Sequence, residues 1–115
     1  MALTIRKVGD IVIFDIGGDL TLVTIDKIGL HRSVKEMLGK GERKFLFNTA
    51  GVPFMDSTGV GELLASFVSI QNAGGRLCLE KVNEKILLIF KITGIIRLFE
   101  GAIFEDEDTA VKNCT

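Results

Sequence analysis

The stretch FMDSTGVGELL, residues 54 to 64, sets a carboxylate and two hydroxyls, Asp56, Ser57 and Thr58, between the apolar pair Phe54-Met55 and a glycine-spaced apolar run. Two kinds of chemistry can use such a trio. One is nucleophilic attack by an activated serine, which requires a base within hydrogen-bond reach. The chain has a single histidine, His31, and Asp56-Ser57-Thr58 is preceded by Met55, so the strand-to-helix elbow G-x-S-x-G is absent. No G-x-x-x-x-G-K-[ST] phosphate loop occurs either. The other is modification of the hydroxyl itself. A serine at a helix N-terminus sits where the helix dipole favours negative charge. Phosphorylation there adds about −1.5 to −2 charge and three acceptor oxygens, enough to alter a docking surface without unfolding its scaffold. The same three residues also suit a purely local task, since Asp56, Ser57 or Thr58 can accept from the unpaired N–H groups of a first helical turn. With Ser57 or Thr58 as cap, Glu62 falls near the capping-box position, and otherwise reads as a solvated helix residue.

These residues must be positioned by flanking elements. Leu3, Ile5 and Val8 separated by Thr4, Arg6 and Lys7 predict a strand, and Gly9-Asp10 a hairpin turn into a second one, IVIFDI, 11 to 16. That run is almost continuously apolar, as in a strand covered on both faces. After Gly17-Gly18-Asp19, LTLVT reads as extended, and a helix follows over about 25 to 39, weakened by Gly29 and stopped by Gly39 and Gly41; His31 reads as a surface side chain on it. RKFLFNTAG supplies another buried strand at 43 to 48, so FMDSTG occupies the loop after a central strand. From Thr58 to about Ala73, Val60, Leu63, Leu64, Phe67 and Val68 recur at helical steps until Gly74-Gly75. RLCLEK, 76 to 81, predicts a strand; Asn83 can cap a helix reaching Gly94; IIRLFEGAIFE reads as irregular and strand-like; and EDEDTAVKNC predicts a final short helix. The alternation defines an α/β (α+β) class with a mixed sheet.

The totals narrow the function. At 115 residues the chain fits one domain, 1–115, able to bury about two thirds of its unfolded surface. A net charge of −1 and a pI near 5.8 provide no positive field for nucleic acid or an anionic membrane. Two cysteines and one histidine make no metal cluster. Cys78 reads as a small strand residue and Cys114 as part of the tail, and the sequence does not suggest a disulfide between them. The N-terminal residues lack signal-peptide character and no apolar run approaches the ~18 residues of a membrane span, so a reducing cytoplasm is expected.

FMDSTGVGELL resembles the signature of the STAS domains, named for sulphate transporters and anti-sigma factor antagonists. The course of strand pair, helix, central strand, Asp-Ser loop, Gly-Gly-ended helix and strand, followed by ILLIFKITGIIRLFE, extends the resemblance over nearly the whole chain. It implies a STAS-like single domain whose mixed sheet has an N-terminal strand pair and about four helices mainly on one face. It implies a partner-switching regulator and no enzyme, without cofactor or metal. Ser57 maps to the family's phosphoacceptor, with Thr58 as a possible second acceptor. Asp56, Ser57, Thr58, Gly59, Gly61 and Met55 map to the partner-binding surface, although either glycine also suits packing and either Met55 or Phe54 suits the core. The implied partners are a serine-kinase anti-sigma factor and a serine phosphatase, with a homodimer left open. The alternative role is a STAS scaffold or subunit of a stress-signalling or membrane-lipid transport complex, indifferent to Ser57 phosphorylation.

Overall fold

The computed structural model describes residues 2–114. Gly9, in the left-handed region at φ +61°, closes the predicted hairpin, so β1 (Ala2–Val8) runs antiparallel to β2 (Ile11–Gly17). β3 (Lys44–Gly51), β4 (Arg76–Glu80) and the two-residue β5 (Ile103–Phe104) add in parallel, giving the order β1-β2-β3-β4-β5. The largely β-branched run of β2 is buried on both faces over Ile11–Phe14, as its nearly continuous apolarity predicts.

Five helices connect and cover the strands: α1 (Ile25–Ile28), α2 (Leu30–Gly39), α3 (Ser57–Asn72), α4 (Glu84–Thr93) and α5 (Glu107–Asn113), with a 3-10 turn at Ile95–Phe99. The helix expected over 25–39 is broken at Gly29, which lies at φ +64° and ends α1 by donating its N–H to Ile25 O. Only Leu20 of LTLVT is extended, bridging to Met55; residues 21–24 form a turn closed by Ile25 N–H on Thr21 O. Asn83 and Gly94 bound α4 as their types predict.

Parallel register puts Asp15, Asn48 and Glu80 side by side on one face of the sheet, together with Ile13, Leu46 and Cys78. α5 lies on this face, because Cys114 at its C-terminal end is joined to Cys78 by a disulfide with Cα atoms 6.0 Å apart. The sequence did not suggest this bond, and the structure corrects that reading: the return of α5 over β4 brings together two cysteines 36 positions apart. The opposite face carries Phe14, Phe45, Phe47, Leu77 and Leu79, with Phe14 and Phe47 stacked at 5.2 Å. Phe90, Ile95 and Phe99 join the core, whereas Leu88, Ile92 and Leu98 stay exposed. On α3 the buried positions are Gly59, Leu63, Ser66 and Ile70, while Leu64 and Val68, which fit the helical stripe equally well, face out.

Candidate functional site

The loop from β3 to α3 is held along its length. Thr49 Oγ donates to Glu80 O at 3.0 Å, and Asn83 Nδ2 donates to Val52 O at 3.1 Å. Leu20 N–H then donates to Phe54 O at 3.0 Å and Asp56 N–H to Leu20 O at 3.2 Å. These two bonds make Leu20 and Met55 a miniature parallel pair. Met55, expected among partner-binding residues, is thereby drawn inward to 1% exposure, and Phe54 is the member of the pair that faces solvent. The loop therefore meets α3 on a backbone fixed from both sides.

Asp56 is the N-cap of α3. Its backbone is extended, with φ −101° and ψ −172°, and its Oδ1 accepts the Gly59 N–H at 3.0 Å. Its Oδ2 accepts the Leu22 N–H at 3.1 Å, so one carboxylate ties the 20–24 turn to the helix. The Gly59 and Leu22 backbone donors, in that order, hold the Asp56 carboxyl below its ordinary value. The capping alternative thus falls to Asp56 and leaves both neighbouring hydroxyls out of that task. Ser57 is the first residue of α3 and is exposed; Thr58 is half-buried.

The two glycines differ. A Cβ at Gly59 would meet the Leu20 carbonyl oxygen and come within 2.9 Å of Leu20 Cβ, so glycine is required there for close approach of the turn to α3. Gly59 is buried, which answers the open choice in favour of packing. A Cβ at Gly61 would meet nothing within 4 Å. Internal packing makes no demand at that exposed position.

Sequence reasoning missed Leu22 and Val23. Their places in LTLVT suggested strand residues, but the turn leaves them 73% and 81% exposed. The Leu22–Asp56 and Leu20–Phe54 bonds bring the turn that carries Leu22 and Val23 to the Phe54–Thr58 loop. A cue in the sequence was Thr24, which shapes the turn by accepting the Thr21 N–H and donating to Asp19 O.

His31 and Glu62 are also more engaged than their types suggested. Glu62 Oε2 accepts the His31 backbone N–H at 3.0 Å at the start of α2, and so serves a neighbouring helix instead of a capping box. His31 Nε2 pairs with Ser69 Oγ at 2.8 Å and is half-buried between α2 and α3. The histidine is thus bonded to Ser69, and Asp56 to backbone, which leaves the serine–base pair of a hydrolase without its members at Ser57. Among the described residues, no Lys or Arg forms an ion pair with Asp56.

A mixed five-stranded sheet with helices on both faces presents a capped Asp-Ser-Thr-Gly turn at a strand end. The STAS domain family model matches residues 2–110, and the chain belongs to that family. It is 41% identical over 44 residues to the anti-sigma-B factor antagonist of Bacillus subtilis, covering 38% of this chain and 40% of that one. It is 29% identical over 80 residues to the anti-sigma-B factor antagonist of Staphylococcus aureus, covering 70% and 72%. Among solved structures, a candidate anti-sigma factor antagonist of Thermotoga maritima superposes with a TM-score of 0.86 at 23% identity, over 97% and 93% of the two chains. The phosphorylated Bacillus cell-fate determinant SpoIIAA does so with a TM-score of 0.73 at 18% identity, over 96% of each. At these identities the structural likeness establishes the fold. Among the described residues, no helix is long and apolar enough to cross a membrane.

Proposed function

We propose that this chain is an anti-sigma factor antagonist that binds a serine-kinase anti-sigma factor while Ser57 is unmodified and is released when the same kinase phosphorylates Ser57. A serine phosphatase then restores the binding form. The observation that carries this reading is the exposed Ser57 hydroxyl, left free of capping because Asp56 takes that role, at the N-terminal end of a sixteen-residue helix. The names of the relatives support the partner class. The protein acts by association in the cytoplasm and performs no catalysis of its own.

The switch follows from electrostatics. In the docked state Leu22, Val23 and Phe54 supply apolar contact, Asp56 and Thr58 border the hydroxyl, and the bare Gly61 backbone lets the partner approach. Phosphate on Ser57 places a dianion beside the Asp56 carboxylate, which is already served by backbone donors. The α3 dipole tolerates that charge in the free protein. In a closed interface the same charge requires desolvation with no cation of this site to neutralise it, so the complex opens.

The test is to incubate the chain with its host's serine-kinase anti-sigma factor and ATP, locate phosphate by mass spectrometry, and measure binding of Ser57→Ala and Ser57→Asp by calorimetry. Ser57→Ala should remain bound and unphosphorylated, and Ser57→Asp should bind at least tenfold more weakly. Equal affinity of the two variants would exclude the switch and favour a constitutive scaffold.

A further inference from the structure

Opposite the acceptor helix, α5 lies over a polar cluster that the proposed switch does not use. Arg6 of β1 pairs with Asp15 of β2, Nε to Oδ2 at 2.6 Å, and with Glu107 at the start of α5, Nη1 to Oε2 at 3.0 Å. Asn48 of β3 donates to Asp15 Oδ1 at 2.8 Å. Beside them Glu80 of β4 is fully buried, and among the described residues neither of its carboxylate oxygens has a hydrogen-bond partner. Lys81, in the left-handed region at φ +58°, brings Nζ only to 3.5 Å from Glu80 Oε1. A buried carboxylate with one long ion pair and no hydrogen bond among the described residues works against the closed arrangement. The Cys78–Cys114 disulfide acts in the opposite sense, fastening the far end of α5 to the strand that carries Glu80.

We propose that Cys78 and Cys114 form a reversible thiol–disulfide latch: oxidation holds α5 on the sheet, and reduction lets it lift from the buried Glu80 carboxylate. The oxidant is a low-molecular-weight disulfide such as oxidised glutathione. One cysteine thiolate attacks it, forming a mixed disulfide and expelling one small thiolate; the second cysteine thiolate attacks the protein sulfur, closing Cys78–Cys114 and expelling the other. Two cysteine protons pass through solvent to the two expelled thiolates, the protein loses two electrons, and the small disulfide becomes two thiols. A dithiol reductant reverses each step. Both sulfurs are fully buried, so exchange proceeds through the lifted state. A seven-residue helix has little stability of its own, and its closure therefore depends on these tertiary ties.

Glu80 makes the reduced latch sensitive to pH. Burial first, and then the Glu107 charge, push its carboxyl upward against the opposing pull of Lys81 and Arg6. Asp15 adds a further negative charge on β2, while Asn48 and Phe104, its register neighbours on β3 and β5, are neutral. The closed state thus binds the proton more tightly than the open one. Closure is favoured at low pH and weakens as pH rises from the ordinary glutamate value through the raised one.

The experiment is hydrogen exchange read by mass spectrometry on the full chain, oxidised with oxidised glutathione or reduced with dithiothreitol, at pH 5 and 7. Rates are corrected for the intrinsic pH dependence of exchange. Reduction should speed exchange over Glu107–Asn113 at least tenfold at pH 7 and less at pH 5, with β2 and α3 still protected. Glu80→Gln should slow exchange in the reduced protein, and a Cys78→Ala/Cys114→Ala variant should exchange like it whatever the redox buffer. Reduced wild type reads the same event should that double variant fail to fold. Equal α5 exchange in the two redox forms overturns the latch. So does loss of β2 and α3 protection on reduction, which makes the bond a global staple, or failure of the native dithiol to reoxidise without denaturant. No partner protein is involved, so the result is independent of the Ser57 switch.

Discussion

The helix starts at Asp56 and Asp106 are built from one local unit. Each aspartate has an extended backbone and accepts the N–H three residues ahead, at 3.0 Å from Gly59 and 2.8 Å from Thr109. Their surroundings make them different devices. Asp56 spends its second oxygen on the Leu22 N–H, which fixes a turn with exposed apolar side chains beside a free serine hydroxyl. After Asp106, the first helical residue, Glu107, is bound by Arg6, and the helix runs on to a disulfide. The first start is rigid backbone presenting an unneutralised surface; the second is neutralised and strapped. A cap motif sets where a helix begins, and the neighbouring elements decide whether that beginning is offered to a partner or closed off.

The largest effect that would sharpen this contrast is in binding. Phosphate at Ser57, left unpaired in a closed interface, is expected to weaken partner affinity by about 3 kcal/mol or more, roughly a hundredfold or beyond, with calorimetry on phosphorylated protein as the check. A phosphoprotein that binds as well as the unmodified one would remove the distinction between the two starts.

Next is Gly59→Ala. Its new methyl must displace the Leu20 carbonyl, so the fold should lose roughly 1–3 kcal/mol, measured by urea unfolding. A neutral result would mean the turn moves aside freely and the Asp56–Thr58 loop is not held by it.

The two caps can then be compared by one change made twice. Asp56→Ala should lower the melting temperature more than Asp106→Ala, because it strands the Leu22 N–H as well as its own helix. Backbone donors hold both carboxyls below their ordinary values, Gly59 first for Asp56 and Thr109 first for Asp106. Each contribution is therefore present above the unfolded-state pKa of about 4 and lost as pH falls through the lower folded value. In a thermal scan from pH 7 to pH 2, the gap between wild type and either variant should close over that acidic window.

The smallest effect is at Gly61. Gly61→Ala meets no atom and removes an interior helix glycine, so stability should hold or rise by up to about 1 kcal/mol. Partner affinity should nevertheless fall if a partner uses the bare backbone. Unchanged affinity would confine the contact surface to Ser57 and the 20–24 turn.

The elements were legible wherever local chemistry decided them. Gly9-Asp10, the β-branched run of β2, Asn83 with Gly94, and the hydroxyl-rich start of α3 all announce themselves, and the Asp-Ser-Thr-Gly loop marked the candidate site. Periodicity alone could not choose between faces of α3, because Leu64 and Val68 satisfy the same spacing as Leu63 and Ile70. The turn at 21–24 hid behind an alternating pattern that fits a strand equally well.

Sequence by itself determined most of the course of strands and helices, the turn at 21–24 and the break at Gly29 apart, the position of Asp56-Ser57-Thr58 at a strand-to-helix junction, and the likeness to STAS domains, since these follow from local residue pattern. Tertiary structure decided that Met55 turns inward while Leu22 and Val23 turn outward, that His31 binds Ser69, that Glu80 is sealed beneath α5, and that Cys78 meets Cys114. Each of those outcomes depends on segments distant in sequence packing together, and burial, hydrogen-bond partners and disulfide reach exist only once they have done so.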